Sequence, residues 1–427
     1  MPETALQRQP YAELTLGRRL MERLDALARH TDEPGRLTRL YLTPAHRRAS
    51  AALSAWMREA GMSVRVDPLA TLIGRYEGRD PGLPAVLVGS HIDTVRDAGK
   101  YDGALGVLAG LTAVEELSRR GERLPFAVEV VAFGDEEGVR FPSTLSSSRA
   151  LAGTLSPEVL SCADGSGVKL ADALIAFGCD PERLSEAARS PDEVLAYIEP
   201  HIEQGPVLEE MGRPIGIVTA INGIRRLAVT ITGEAGHAGT VPMSLRRDSL
   251  AAAAEMVLAV ERTGRRHDGV VATVGRIEAH PGAVNVIPGR TSFTIDLRAA
   301  SDELRDACVA EVRAAIEEIA ARRNCTAGIS LMHTEPATTC APAITAALTQ
   351  AIEAEGMAPV ALTSGAGHDA MAVAALCPVG MLFVRCAGGV SHNPAESITT
   401  EDAEACMRVL LRFLRSFKPE SPAAAAA

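Results

Sequence analysis

The sequence predicts an α/β fold: a doubly wound domain interrupted by a smaller α+β insertion of ferredoxin-like order. Three observations predict it. In the first third, short apolar runs of the kind that form buried parallel strands alternate with helical patterns. Between about residues 214 and 333 the order changes to β-α-β-β-α-β. After about residue 333 the α/β rhythm resumes. The expected domains are therefore 1–213 with 334–427, and an inserted 214–333.

The elements follow in order. "YAELTLGRRLMERLDALARH" has helical period, and "PAHRRASAALSAWMREAGM" is a second helix closed by Gly61. "SVRVD" alternates as a strand does, and "PAVLVGSH" reads as a buried strand. "GALGVLAGLTAVEELSRRG" places Leu105, Leu108, Leu111 and Leu117 on one helix face and stops at Gly121. "PFAVEVVAFGDEEG" is a further buried strand. In the insertion, "PIGIVTAINGIRRLAVTITG" reads as one strand and "LRRDSLAAAAEMVLAVERTG" as a helix. "GVVATVGRIEA" and "RTSFTIDLR" are strands, "DELRDACVAEVRAAIEEIAARR" a helix and "TAGISLMH" the last strand. "PVGMLFVRC" is a strand of the larger domain. "TTEDAEACMRVLLRFLRSF" closes it as a helix with a threonine cap and acids in its first turn. The tail "PESPAAAAA" reads as frayed low-complexity sequence.

Bulk properties narrow the function. The 427 residues suffice for two or three domains, and 47% hydrophobic residues fill a large core. A formal net charge of −11 argues against a nucleic-acid binder. No run reaches the ~18 apolar residues of a membrane span. "MPETALQRQPYAEL" lacks a signal-peptide pattern, so a cytoplasmic location without membrane partners is expected. The eight cysteines form no CxxC pair and read as reduced packing residues.

Five glycine-flanked segments carry unusual polar residues: "GSHIDT", "GKYDG", "GDEEG", "EPHIEQG" and "GGVSHNPAE". They offer His91, Asp102, Glu136, Glu137, His201 and His392. Imidazole and carboxylate together suit Zn²⁺ or Mn²⁺, and a carboxylate shared by two cations is the usual core of a two-metal hydrolytic site. Asp93, two residues after His91, is placed to orient its imidazole. His91 and the two glutamates follow predicted strands, at the carboxyl ends where open α/β sheets place a ligand crevice. Residue types and spacing leave two readings open, a metal site or a collection of structural histidines and solvated turns. GxSxG, GxxxxGK[ST] and HExxH motifs are absent. The reading from another class is a non-catalytic binding protein of similar fold, which loss of Glu136 or of a ligand would mark.

With these residues assembled, the chain resembles the hydantoinase/carbamoylase branch of the M20 metallopeptidase-like amidohydrolases. That group includes N-carbamoyl-L-amino-acid hydrolases, β-ureidopropionases and allantoate amidohydrolases. The resemblance runs through "GSHIDTV…GKYDG", "FGDEEGVRF", "HIEQGPVLE", "GEAGHAGTVPM", "NVIPG", "DLR", "SGAGHDA" and "SHNPAE". It implies two divalent ions per chain, Zn²⁺ or Mn²⁺. One would be held by His91, Asp102 and His201. The second would be held by Asp102, Glu137 and His392, with Asp102 bridging. Glu136 resembles the general base. It implies that the insertion is a lid and homodimerisation domain, with His237 stabilising the oxyanion from the partner subunit. Asn285 and Arg298 would bind substrate, Arg298 through a carboxylate, and Gln204 and Gly367 would complete the pocket. Related peptidases carry an acid where His201 stands, so "EPHIEQGP" favours the ureido-cleaving branch. The implied reaction is hydrolysis of a ureido C–N bond with release of ammonia and carbon dioxide. "GDEEGVRFPSTLSSSRALAG" and "AHPGAVNVIPG" are most similar to allantoate amidohydrolases, with N-carbamoyl-L-amino-acid hydrolase as the alternative. One departure is visible: Ala70-Thr71 stand where relatives carry Gly-Asn, which would alter a turn at the rim of the site.

Overall fold

The computed structural model describes residues 14–418. The N-terminal "MPETALQRQPYAE" segment and the expected frayed tail lie outside them. By the density of internal contacts the chain divides into two compact units. One comprises residues 1–219, 340–362 and 368–427, and the other residues 220–339 and 363–367.

The larger unit opens with helices α1 (Leu16–Leu27) and α2 (Pro44–Glu59), each capped by a threonine side chain. Strands β1 (Ser63–Val66), β2 (Leu72–Tyr76) and β3 (Ala85–His91) follow, then α3 (Ala104–Arg119) and β4 (Ala127–Phe133). Short helices α4 (Ser146–Leu151) and α5 (Leu170–Phe177) precede β5 (Val194–Ile202), α6 (Val207–Glu210) and β6 (Ile215–Ile221). The smaller unit runs through β7 (Gly223–Thr232), β8 (Gly236–His237), α7 (Ser249–Arg266), β9 (Val270–His280), β10 (Val286–Ile287), β11 (Arg290–Ala299), α8 (Asp302–Arg322), β12 (Thr326–Glu335) and β13 (Thr338–Thr339). Then come α9 (Pro342–Ala354), β14 (Ala361–Ser364), α10 (Asp369–Val373), β15 (Val379–Val384) and α11 (Thr400–Ser416).

The large sheet has nine strands in the order β1-β2-β4-β3-β5-β15-β6-β13, with β14 also on β6. It is mixed. β4, β3, β5 and β15 form a parallel centre, and β2 and β6 pair antiparallel on either side of it. The doubly wound expectation is therefore corrected at the margins. The parallel centre is largely apolar and buried on both faces, as such strands are, with Ser90, His91, Glu129, Glu199 and His201 as its buried polar exceptions. Val86, Val88, Val128 and Val130 enter one cluster with Leu24, Leu108, Leu348 and Leu410. Their neighbours Leu87, Val131, Tyr197 and Phe383 are buried on the opposite face.

Helix α3 also differs from the leucine-stripe expectation: it is buried nearly all round. Gly106 and Gly110 let it approach β3 so closely that a Cβ on either would meet Ser90 or Val88. Its one buried acid, Glu116, is paired with Arg19 at 2.7 Å and Arg119 at 2.8 Å.

The strand expected over 214–233 is two strands. β6 joins the large sheet beside β15, and β7 begins a separate four-stranded antiparallel sheet ordered β12-β7-β11-β9. Helices α7 and α8 cover one face of this sheet, through Ala252, Met256, Val312 and Ile316 against Leu227, Val229, Phe293 and Ile295. The alternate residues of β11, Ser292, Thr294, Asp296 and Arg298, are only half-buried. Ala70 takes φ +62 and is buried, and the Asp67 carboxylate accepts from the backbone N–H of Leu69 and Thr71. The alanine thus carries the left-handed strain, about 1–2 kcal/mol, that a glycine would avoid.

Candidate metal centre

Four adjacent strands aim their carboxyl ends at one place. His91 is the last residue of β3. Glu136 and Glu137 follow the end of β4, His201 is the penultimate residue of β5, and His392 stands in the loop after β15. Asp102 precedes α3, separated from it by Gly103 at φ +63. A Cβ on Gly103 would meet the His91 ring at 2.5 Å, so only glycine lets the aspartate and the imidazole share this corner.

The three imidazoles converge on Asp102. His201 Nε2 lies 3.1 Å from Asp102 Oδ1, His91 Nε2 3.6 Å from Oδ1, and His392 Nε2 3.2 Å from Oδ2. Backbone contacts orient two of the rings: His91 Nδ1 lies 3.0 Å from the Asp93 carbonyl, and His201 Nδ1 2.9 Å from the Ile202 carbonyl. Protonation at Nδ1 leaves each Nε2 as the inward donor atom. Glu137 reaches His392 at 3.5 Å, and Glu136 reaches His91 at 3.8 Å. The residues form three overlapping sets with ligand atoms within 4.8 Å: His91–Asp102–His201, Asp102–Glu137–His392 and His91–Glu136–Glu137. The first two match the expected sets and share Asp102.

Asp93 meets the His91 ring through two groups. Its backbone carbonyl takes the His91 contact, while its carboxylate, 3.6 Å from Nδ1, accepts from the backbone N–H of Glu136 and Glu137, each at 3.3 Å. Asp93 therefore ties the end of β3 to the glutamate turn after β4.

The electrostatics is that of buried acid short of cations. Burial lifts the Glu136 carboxyl well above its usual range, and Glu137, Asp369 and Asp93 lift it further. Burial, then Asp102, pushes Glu137 up to about 7. Burial opposes ionisation of Asp102, but His201, His392 and His91 outweigh it and hold that carboxyl low. Burial would lower His91; the Asp102, Glu136 and Asp93 carboxylates hold it high instead. Asp102 draws His392 up to about 9. Glu137 Oε1 is buried with no hydrogen-bond partner among the described residues. Buried carboxylates at this density demand positive charge. The imidazole and carboxylate donors fit divalent Zn²⁺ or Mn²⁺.

Other expected site residues stand differently. Gln204, with φ +57, gives its Nε2 to Asp102 Oδ2 at 3.1 Å and to Ser391 Oγ at 3.2 Å. It thus touches the ligand cluster itself. In the smaller unit, His237 and Asn285 are exposed neighbours. The ribbon of β8 and β10 pairs His237 with Val286, and the Ala238 N–H donates to the Asn285 carbonyl. His237 Nδ1 accepts from the Gly239 N–H at 3.0 Å. Arg298 gives Nε and one Nη to the Asp296 carboxylate at 2.7 and 3.0 Å and its other Nη to the Gly365 carbonyl at 2.6 Å. Gly367 lies in the half-buried loop between β14 and α10.

Four further buried residues escaped the sequence reading although they stand inside the quoted motifs. Glu199 accepts from Ser90 Oγ at 2.6 Å and from the Ala370 N–H at 2.9 Å, linking both histidine-bearing strands to α10. His368 stacks edge-on against His201 at 4.4 Å, next to the buried Asp369. Glu396 accepts from two backbone N–H groups beside Asp102. Only their burial, invisible in a motif, distinguishes them from surface polar residues.

Residues 87–416 match the sequence model of Peptidase family M20/M25/M40. The chain is 46% identical over 395 residues to an N-carbamoyl-L-amino acid amidohydrolase of Geobacillus stearothermophilus, covering 92% of this chain and 97% of that protein. It is 42% identical to a probable allantoate deiminase of Oryza sativa subsp. japonica, covering 95% of this chain and 89% of that one. The crystal structure of an amidase of the hydantoinase/carbamoylase family from Burkholderia multivorans superposes with a TM-score of 0.88 at 35% identity, over 95% of this chain and 98% of that one.

Proposed function

Because the chain belongs to peptidase family M20/M25/M40 and is a hydrolase, we propose that it hydrolyses the ureido C–N bond of a ureido carboxylic acid. One observation carries this reading: two ligand sets, His91–Asp102–His201 and Asp102–Glu137–His392, share the Asp102 carboxylate at the ends of adjacent parallel strands.

Two divalent ions would be held by these five residues. When bound they supply Lewis acidity, activating water and offsetting negative charge at neutral pH. The chain's own residues do the rest. Asp102 stays ionised among three imidazoles. Glu136, whose carboxyl burial raises, accepts a proton from the water that attacks the carbamoyl carbon and returns it to the departing nitrogen. The C–N bond breaks, and the carbamate half decomposes to ammonia and carbon dioxide. The smaller unit serves as lid and homodimerisation domain. In it Arg298 and Asn285 bind the substrate, Arg298 through its carboxylate, and His237 of the partner subunit stabilises the oxyanion. Gly367 lines the same pocket.

Allantoate is the proposed substrate, on the segments "GDEEGVRFPSTLSSSRALAG" and "AHPGAVNVIPG"; an N-carbamoyl-L-amino acid is the alternative, and the named relatives divide between the two. The serine run of the first segment is engaged in the fold. Ser143 and Ser146 donate to Asp135, and Ser147 donates to the Gly134 carbonyl. Ammonia release is to be compared on allantoate, N-carbamoyl-L-amino acids and N-carbamoyl-β-alanine with Mn²⁺ supplied. Allantoate should be turned over fastest, and silence on all three overturns the reading. For the shared site, a His237→Ala chain is mixed with a Glu136→Gln chain under subunit exchange. Mixed dimers should recover activity well above either parent. No recovery, with exchange verified, returns His237 to its own chain or removes it from the chemistry.

A further inference from the structure

We infer that Glu396, which is not one of the proposed ligands, is the positioning residue that locks the His392 loop onto Asp102 and so sets the affinity of the second metal position. The inference rests on the two-metal reading above.

Glu396 is 4% exposed although it lies in a coil segment, and it bridges two ligand-bearing loops with its two oxygens. Oε1 accepts from the consecutive backbone N–H groups of Tyr101 and Asp102, at 3.0 and 3.1 Å. Oε2 faces Ser391 Oγ at 3.1 Å, the residue before His392. The Ser391 hydroxyl also stands 3.3 Å from Asp102 Oδ2 and receives the Gln204 amide at 3.2 Å. Glu396 thus grips the backbone under Asp102 on one side and, through Ser391, the root of the His392 side chain on the other.

His392 needs such a hold. It is the one proposed ligand that is about half exposed, at 51%, it belongs to no helix or strand, and its φ is +54. His91 and His201, by contrast, are fixed in strands and buried. Removing the bridge should therefore cost the Asp102–Glu137–His392 position more than the His91–Asp102–His201 position.

Gly99 gives an independent handle. A Cβ there would collide with Cβ, Cδ and Oε1 of Glu396. Gly99 has no positive φ, so alanine is tolerated by the backbone itself. Gly99→Ala should displace the Glu396 side chain without deleting any of its atoms.

The experiment uses the full-length chain stripped of metal and titrated calorimetrically with Mn²⁺, with bound ions counted by elemental analysis. The parent should take two ions per chain; a parent that does not overturns the two-metal reading, whatever the variants do. With two ions bound by the parent, Glu396→Ala should weaken the second ion about 10- to 100-fold, the usual cost of losing a group that orients a ligand, and the first ion less. Gly99→Ala should weaken the same ion. Glu396→Gln should remain close to the parent. Its carbonyl still accepts from Tyr101 and Asp102, and its amide donates to Ser391 Oγ, whose proton then turns to Asp102. Unchanged second-ion affinity in Glu396→Ala overturns the inference. So does a Glu396→Gln chain as weak as Glu396→Ala, which would make charge rather than bridging the cause. If Glu396→Ala does not fold, Ser391→Ala and Gly99→Ala carry the test. Retention of the second ion by both overturns the inference equally.

Discussion

The candidate metal ligands of the larger unit and the substrate-binding candidates of the smaller unit come from the same kind of sequence signal, a polar residue in a glycine-rich motif. Apart from His392, which is half exposed, their physical states differ. His91, Asp102 and His201 are buried, and their donor atoms already face one another. His237 and Asn285 are exposed, and Arg298 is neutralised by Asp296, two residues away on the same strand face. The buried set is pre-organised because unpaired carboxylates inside a protein are tolerated only where cations or donors are fixed around them. The second set needs no such order, since His237 and Asn285 face solvent and Arg298 has a neighbouring acid. The centre should accordingly respond to substitution through turnover and metal content, and the binding set through KM.

The sharpest break of this contrast is Glu136→Gln. Turnover should fall by about 10²- to 10⁴-fold, the usual weight of a general base, while elemental analysis still finds the full metal content. Because Glu136 also belongs to a set with His91 and Glu137, a loss of metal in this variant would make it a ligand rather than the base.

Arg298→Ala should raise KM about 10- to 100-fold with kcat little changed, since a charge-assisted contact is worth about 1.5–3 kcal/mol. Arg298→Lys should fall between the two, keeping the charge but losing the planar fork. Steady-state kinetics on a ureido acid separates the parameters. A fall in kcat alone would move Arg298 out of ground-state binding.

The smallest effect is on stability. In the metal-free chain burial raises Asp67 to about 6, Glu137 to about 7 and Asp135 to about 8. A carboxyl raised on folding binds more protons in the folded state, so stability declines as pH rises from the unfolded value near 4 through the folded one. His392, raised to about 9 by Asp102, acts in the same direction, its contribution complete below about 6.5 and lost through pH 9. Thermal melts of the metal-free chain should therefore fall steadily between pH 5 and 9. Metal binds the deprotonated ligands, so the gap in Tm between loaded and stripped protein should widen with pH. A constant gap would separate these acids from the metal.

The alternation of elements is legible in the residues alone, because buried parallel strands are largely apolar and "AVLVGSH" and "AVEVVAF" depart from that only at Ser90, His91 and Glu129. The sequence also determined which imidazoles and carboxylates to consider, because few other functions bring glycine, histidine and acid together at strand ends. Where "PIGIVTAINGIRRLAVTITG" breaks emerges from the folded chain, since an apolar strand carries no mark of which sheet it will join. The folded chain alone shows that α3 is covered on nearly all sides, that the Asp93 backbone carbonyl meets the His91 ring, and that Glu199, His368 and Glu396 support the centre. Each of these depends on contacts between residues tens to hundreds of positions apart or on which atom of a residue faces inward. Local pattern records residue type and period, whereas burial and hydrogen-bond partners are properties of the folded chain.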